Sequence, residues 1–354
     1  MDFLPITDDL VVDFFTDKDN LETCHRFEPN QLRAINAALS SSRPLLVRGE
    51  PGIGKSQLAR AAAKLLGRAF LQHVVDSRTE SHDLLWHFDA VGRLAEAQVI
   101  GALQLQFSDA PSADGPGSDR IDVAIDALRT RLSVGKYVHP RALWWAFDWE
   151  SAKKQARKVG AEEPPQPDGG QWRRGCVVLI DEIDKAESDV PNGLLEALGS
   201  GQFTPRGHTK PVVSTASLPL VIITTNEERA LPDAFIRRCL VLHLSLPDGR
   251  QALIDKLIER GHAHFQQARD SRIPRASEKV LRKAAELLAD DRAAAQSRNW
   301  RPLPGQAEYL DLVRAVVVQS KGDFKRQEEL IGEVDSFVLK KHPDAARNLS
   351  GETG

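Results

Sequence analysis

Pro44-Leu45-Leu46-Val47-Arg48-Gly49-Glu50-Pro51-Gly52-Ile53-Gly54-Lys55-Ser56-Gln57 is the stretch that decides how the rest of the chain is read. A short apolar run of buried-strand type enters a glycine-rich turn, and an Ala/Leu-rich helical stretch follows from about Ser56 to Leu66. Residues Gly49 to Ser56 satisfy G-x-x-x-x-G-K-[ST] in the setting that gives the pattern meaning, after a strand and at the opening of a helix. Glycines let the backbone curl until several N–H groups face one anion, and the helix N-terminus adds positive potential there. The expected phosphate cradle is Gly49, Glu50, Pro51, Gly52, Ile53, Gly54, Lys55 and Ser56, with Gln57 beside it. Lys55 is expected to reach the β- and γ-phosphates and Ser56 to ligate Mg²⁺. The alternative is a chance glycine turn, which would make the flanking strand and helix a coincidence.

A second signal lies downstream. Cys176-Val177-Val178-Leu179-Ile180 is a continuous apolar run that delivers Asp181 and Glu182 at its C-terminal end, where open α/β sheets bind their ligands. Asp181 is expected to hold Mg²⁺ and Glu182 to act as general base toward a water. Leu220-Val221-Ile222-Ile223-Thr224 is a similar run, and Val241-Leu242-His243-Leu244 is a further candidate. Continuous rather than alternating apolar runs suit strands buried on both faces, as in a parallel sheet. Helical spacing over Pro29–Leu39 places a helix before the first strand. From about residue 247 strands stop and helices continue: Arg250–Phe265, Ala276–Ala289, Gln306–Gln319 and Arg326–Lys341.

Composition bounds the function. The 354 residues imply about two domains and suffice for a full core without disulfide or metal staples. Forty-seven Lys and Arg against 50 Asp and Glu leave a charge of −3, so a grip on bare nucleic acid is not the default. Cys24, Cys176 and Cys239 are odd in number and far apart, which suggests neither a disulfide framework nor a zinc knuckle and fits a reducing cytosol. The acidic N-terminus lacks a basic n-region and is not expected to act as a signal peptide, and no apolar run approaches the roughly 18 residues of a membrane span. A cytoplasmic protein is expected. Residues 1–26 are mixed in character and yield no assignment.

The motifs together resemble a known family. The glycine-rich cradle, the Asp-Glu strand end, Thr224-Thr225-Asn226 and Phe235-Ile236-Arg237-Arg238-Cys239 are similar to those of the AAA+ ATPases. The resemblance implies an α/β P-loop core with a parallel sheet, followed by a small α-helical lid. It implies Asn226 as the sensor that orients the lytic water or touches the γ-phosphate. It implies Arg238, or its neighbour Arg237, as the finger offered to the next subunit's γ-phosphate. Within the AAA+ proteins the chain looks most like the MoxR type. That likeness rests on Thr224 to Phe235, on a hairpin-like Gln202–Thr209 before the sensor strand, and on Ser77–Leu85 with Val91–Leu94 as an insert in the second core helix. Arg301, before Pro302, resembles the sensor-2 arginine of the lid.

The division expected is an N-terminal segment 1–27, a core 28–247, a lid 248–341 and a disordered tail 342–354. About 125 residues separate Lys55 from Asp181, more than a compact member needs. The surplus falls in an insertion at about 100–172, bracketed by loops at 108–118 and 159–171 with a helix at 121–132 between them. Long irregular loops are usually functional or disordered. Trp144, Trp145, Phe147 and Trp149 in that insertion either form a partner face or pack it onto the core. His262 and His264 are two apart and so lie on different faces of a helix, which argues against a shared metal. The function expected is Mg²⁺-dependent ATP hydrolysis by a homo-oligomeric ring, a hexamer by resemblance, that remodels a protein client. MoxR ATPases often act with proteins bearing a von Willebrand factor A-type domain. The alternatives are a nucleic-acid-directed motor or restriction-type NTPase subunit, and a slow ATP-driven assembly switch.

Overall fold

The computed structural model describes residues 3–8, 10–15, 22–108, 130–214, 218–266, 273–340 and 342. Apart from Ser108, the loop expected at 108–118 lies outside these residues. So do most of the helix expected at 121–132 and the tail after 342.

Five parallel strands form the central sheet. They are β3 (Leu45–Arg48), β4 (Arg68–Val74), β7 (Gln171–Asp181), β10 (Leu220–Thr225) and β11 (Leu240–His243), in the spatial order β11-β3-β10-β7-β4. The continuous apolar runs work as expected. In β7, Val177 and Leu179 join one apolar cluster while Val178 and Ile180 join the other. In β10, Leu220 and Ile222 split from Val221 and Ile223 in the same way. Successive side chains point to opposite faces, so a strand covered on both sides has no polar face to show.

Helices α1 (Pro29–Ser41) and α2 (Lys55–Leu66) cover one face with Leu32, Ile35, Leu58 and Ala62. α2 stops at Gly67, whose left-handed backbone donates to Lys64 O at 3.0 Å, an ordinary glycine helix end. Residues 1–26, unassigned from sequence, contain a hairpin. β1 (Leu10–Phe15) pairs antiparallel with β2 (Glu22–Phe27), and Val12, Phe14 and Phe27 pack into the α1–α2 cluster. The signal was a short alternation in LVVDFF, too brief to separate from noise.

The other face of the sheet carries the insertion. β5 (Trp86–Phe88) leads into α3 (Ala90–Ser108), and β6 (Val138–Pro140) returns antiparallel to β5. Helices α4 (Ala142–Phe147) and α5 (Trp149–Lys158) follow, with Asp148 capping α5 through Ser151 N at 3.0 Å. The tryptophans form core, not a partner face. Trp144, Trp145 and Trp149 are buried with Ile180 and Val178 in one cluster, Trp145 meets Trp149 edge-on at 5.0 Å, and Trp149 Nε1 donates to Glu163 at 2.6 Å. The loop expected at 159–171 is tied down. Gln166 bonds both Phe70 N (2.8 Å) and Phe70 O (3.0 Å), occupying the outer edge of β4 like a strand.

A short helix α6 (Asp189–Ser200) and a two-residue ladder of β8 (Gln202–Phe203) with β9 (Val212–Val213) precede β10, where a hairpin was expected. The one-turn helix α7 (Asp233–Ile236) precedes β11. Beyond the sheet stand α8 (Arg250–Phe265), α9 (Glu278–Ser297), α10 (Gln306–Gln319) and α11 (Phe324–Leu339). They enclose a separate apolar core around Leu257, Leu281, Leu288, Tyr309 and Val313. The cysteines are buried, and burial pushes all three thiols up to about 12. Among the described residues no helix is long and apolar enough to cross a membrane.

Candidate functional site

The C-terminal ends of β3, β7 and β10 open into one cavity of about 370 Å³, closed on its far side by α10. The glycine-rich turn forms its floor. Gly54 precedes α2 with φ of +97°, and Gly52, with φ of +76°, lies so near α10 that a Cβ there would meet the Ala307 methyl at 2.7 Å. Only glycine combines a positive φ with that approach.

Lys55 is buried under this turn. Its ammonium donates to Gly49 O (2.7 Å), Glu50 O (2.9 Å) and Asn226 Oδ1 (2.7 Å), which uses all three of its donors. Burial lowers its pKa, opposed by the charges of Asp181, Asp184 and Glu182. Ser56 Oγ lies 2.9 Å from both Asp181 oxygens. A hydroxyl and a carboxylate meeting in this way are hard oxygen donors, the set that suits Mg²⁺, so the residues fit the ion expected of them.

The strand-end residues form one network. Glu182 sits in the left-handed region, with φ of 62°, a conformation costly for a residue with a Cβ and common at functional sites. Its N–H donates to Thr224 Oγ1 at 2.9 Å, and Thr224 Oγ1 donates to Asp181 at 2.5 Å. Its carboxylate accepts from Asn226 Nδ2 at 3.3 Å and from Lys185 Nζ at 2.5 Å. Asn226 thus bridges Lys55 and Glu182 through the two ends of one amide. The turn after Asn226 is fixed by Asp184, a buried carboxylate that accepts from Asn226 N (3.3 Å) and Glu228 N (2.9 Å).

Sequence reading missed Thr224, Asp184 and Lys185. Two threonines closing an apolar strand, and a second aspartate three residues after the first, were the available signals.

The lid side differs from expectation. Arg301 does not line this cavity. It lies at a second one of about 360 Å³, on the opposite side of Glu50, with His243, Arg292 and Trp300. The arginine that α10 brings to the glycine-rich turn is Arg314, alongside Gln306, Leu310 and Asp311. Its buried Nε has no hydrogen-bond partner among the described residues, and its Nη1 is 3.7 Å from Asp311. Arg301 precedes α10, whereas residues 306, 310 and 314 follow one another at helical spacing along the face toward the turn. Two histidines belong to this wall: His264 lines the cavity, and His25 stands beside Gly54. Burial drives His25 down to about 4, reinforced by the charge of Arg260, and drives His264 down to about 3, reinforced by Arg314 and Arg260. His262, by contrast, bonds Glu278 at the surface.

Arg237 and Arg238 lie away from the cavity, in the turn between α7 and β11, and both are exposed. Neither side chain has a hydrogen bond or ion pair among the described residues.

Residues 44–108 match the family model of the AAA domain, dynein-related subfamily. The strand order and the helical extension beyond the sheet agree with that match. The fold is that of an AAA+ ATPase. No curated protein matches the chain. A crystal structure of a candidate ATPase from Cytophaga hutchinsonii aligns over 91% of this chain and 84% of that one, at 14% identity and a TM-score of 0.36, a likeness too loose to argue from. The matched segment covers β3, the glycine-rich turn, α2, β4, β5 and α3.

A larger cavity, about 600 Å³, is elsewhere. It lies between β4 and the insertion, with His73, His87, His139 and Arg141 on its walls. No cluster fit to hold a metal occurs among the described residues.

Proposed function

We propose that this chain is a MoxR-type ATPase that hydrolyses ATP as a homo-oligomeric ring, a hexamer by family resemblance, and remodels a protein client. The observation that carries the reading is the meeting of Lys55, Ser56, Asp181, Glu182 and Asn226 at three strand ends, each bonded to another of the set. The curled backbone of Gly49 to Ser56 binds the phosphates. Lys55 exchanges its carbonyl partners for phosphate oxygens and moves positive charge onto them. Ser56 and Asp181 would hold Mg²⁺, which neutralises phosphate charge when bound. Glu182 accepts the proton of the attacking water. Asn226, already joined to Glu182, orients that water. Arg238 or Arg237, unpaired and exposed, reaches a neighbouring subunit's nucleotide, so turnover depends on assembly. Arg314 takes the lid role that the sequence assigned to Arg301.

A protein client, such as one with a von Willebrand factor A-type domain, is supported by the MoxR-like segments and by the balanced charge of −3. A chain that tracks nucleic acid gains affinity from a basic excess, which this one lacks.

Glu182→Gln tests the reading. ATP binding should persist while turnover falls by roughly 10²- to 10⁴-fold, the usual worth of a positioned general base. Full-rate hydrolysis by that variant would sink the assignment. A wild-type rate raised severalfold by DNA or RNA would favour the nucleic-acid motor instead.

A further inference from the structure

The turn that carries Arg237 and Arg238 has little structure of its own. Helix α7 is a single turn, and the carbonyls at its end lack helical partners, as at any helix terminus. One side chain from a distant part of the chain satisfies them. Arg43 donates from Nε to Arg238 O at 3.1 Å, and from Nη2 to Arg237 O and to Cys239 O, the latter at 3.2 Å. Three consecutive carbonyls are thereby gathered on one guanidinium. A planar fork can hold such a set where an ammonium, a point charge, cannot hold it in one geometry.

Arg43 is itself well anchored. It stands between α1 and β3, half-buried, and the next residue, Pro44, accepts from Leu240 N at 2.8 Å. From there β3 and β11 run in parallel register, Leu45 opposite Leu240. The other end of β3 enters the glycine-rich turn at Gly49. One strand therefore connects the phosphate cradle of a subunit to the support beneath its exposed arginine pair.

We propose that Arg43 is a positioning residue for the Arg237–Arg238 pair. It fixes the backbone of the turn so that the finger is presented to the neighbouring subunit in one orientation. This rests on the finger role proposed above, and the experiment separates the two. Steady-state turnover and nucleotide affinity are measured for Arg43→Ala, Arg43→Lys, Arg237→Ala, Arg238→Ala, and for Arg43→Ala combined with the slower of the two finger variants.

Loss of the finger itself should cost about 10³-fold or more in kcat. Arg43→Ala should bind nucleotide within about twofold of wild type and lose roughly 10- to 100-fold in kcat, the scale of a misplaced group. Arg43→Lys should recover part of that loss. The double variant should be no slower than the finger variant alone, because a support has no effect once the group it supports is gone.

If neither Arg237→Ala nor Arg238→Ala slows turnover, the finger reading fails and this proposal falls with it. If one of them slows turnover while Arg43→Ala and Arg43→Lys run at full rate, only the proposal is overturned. It is also overturned if the two losses multiply in full, or if Arg43→Lys loses nucleotide affinity, since Arg43 would then act on the fold or the cradle and not through the finger.

Discussion

Two hollows of the molecule differ in kind, and the larger of them is the less chemical. The cavity beside β4 is the more voluminous, about 600 Å³ against 370 Å³ over the glycine-rich turn. Its histidines come from three strands, and His87 and His139 stand opposite each other on the β5–β6 ladder. Yet they form no connected network. Among the described residues His87 bonds only Asp83, at 3.5 Å, and a buried ring nitrogen of His73 has no partner. In the smaller cavity Lys55, Ser56, Asp181, Glu182 and Asn226 each bond another of the set, and they come from separate elements. Such networks hold charge in place before a ligand arrives. Volume measures how the β5–β6 segment lies on the sheet; convergence of bonded polar groups is what favours the smaller cavity as the candidate site.

Single substitutions on each side should break this contrast if it is wrong. Lys55→Ala removes the ammonium under the cradle and should weaken nucleotide binding by at least about 30-fold, the cost of truncating one partner of a desolvated charged contact. Its unfolding midpoint should change little. Trp149→Ala should do the reverse. It should cost about 3–5 kcal/mol of stability, the usual price of a large aromatic cut from a core, while nucleotide affinity stays as it was. Titration with a fluorescent ATP analogue and urea denaturation measure both. Retained tight binding in the lysine variant would remove the cradle, and a Trp149 variant that binds poorly yet unfolds normally would make the insertion part of the site.

A smaller effect separates the two lid arginines. Arg314→Ala should weaken ATP binding or slow turnover by about tenfold, as expected when a charged contact worth ~1.5 kcal/mol is lost. Arg301→Ala should leave both nearly unchanged, because its cavity lies on the far side of Glu50. The opposite ranking in a comparison of kcat and KM would restore Arg301 to the role suggested by its place before Pro302.

How far each region was legible follows from the range of its interactions. The cradle and the Asp-Glu strand end are local patterns, with strand, loop and ligands contiguous, so their residues could be named before any fold was known. The four lid helices were legible through their 3.6-residue period, Arg250–Phe265 and Gln306–Gln319 to the residue. Arg314 was missed because it is set by the rotation of α10 about its axis against the turn, which no spacing within the helix reveals. Arg43 was missed for a related reason. It looks like a polar residue before a strand, and its partners are almost 200 positions away. In the insertion the aromatic block was visible, but its direction, inward, depended on which face of the sheet was left to cover.

The mildest test uses acid and again sets the two hollows against each other. His264 lines the cavity over the glycine-rich turn and His25 stands beside that turn at Gly54, both held neutral by burial and by the cations Arg260 and Arg314. Gln31 and Glu28 pull the other way at His25, too weakly to restore its ordinary value. An imidazole whose folded pKa is about 4 takes up no proton between pH 6.5 and 4, while the unfolded chain does. Stability is therefore complete above about 6.5 and falls as the pH drops toward 4, by roughly 2 kcal/mol for such a histidine at pH 5. His139, in the larger cavity, is also lowered by burial, but the charge of Asp89 opposes the shift. His25→Gln should consequently flatten the fall of the urea midpoint between pH 7 and 5 more than His139→Gln does. If the two variants fall alike, the wall behind the cradle is no more closed to protons than the open hollow beside β4, and the contrast between the two cavities loses its electrostatic part.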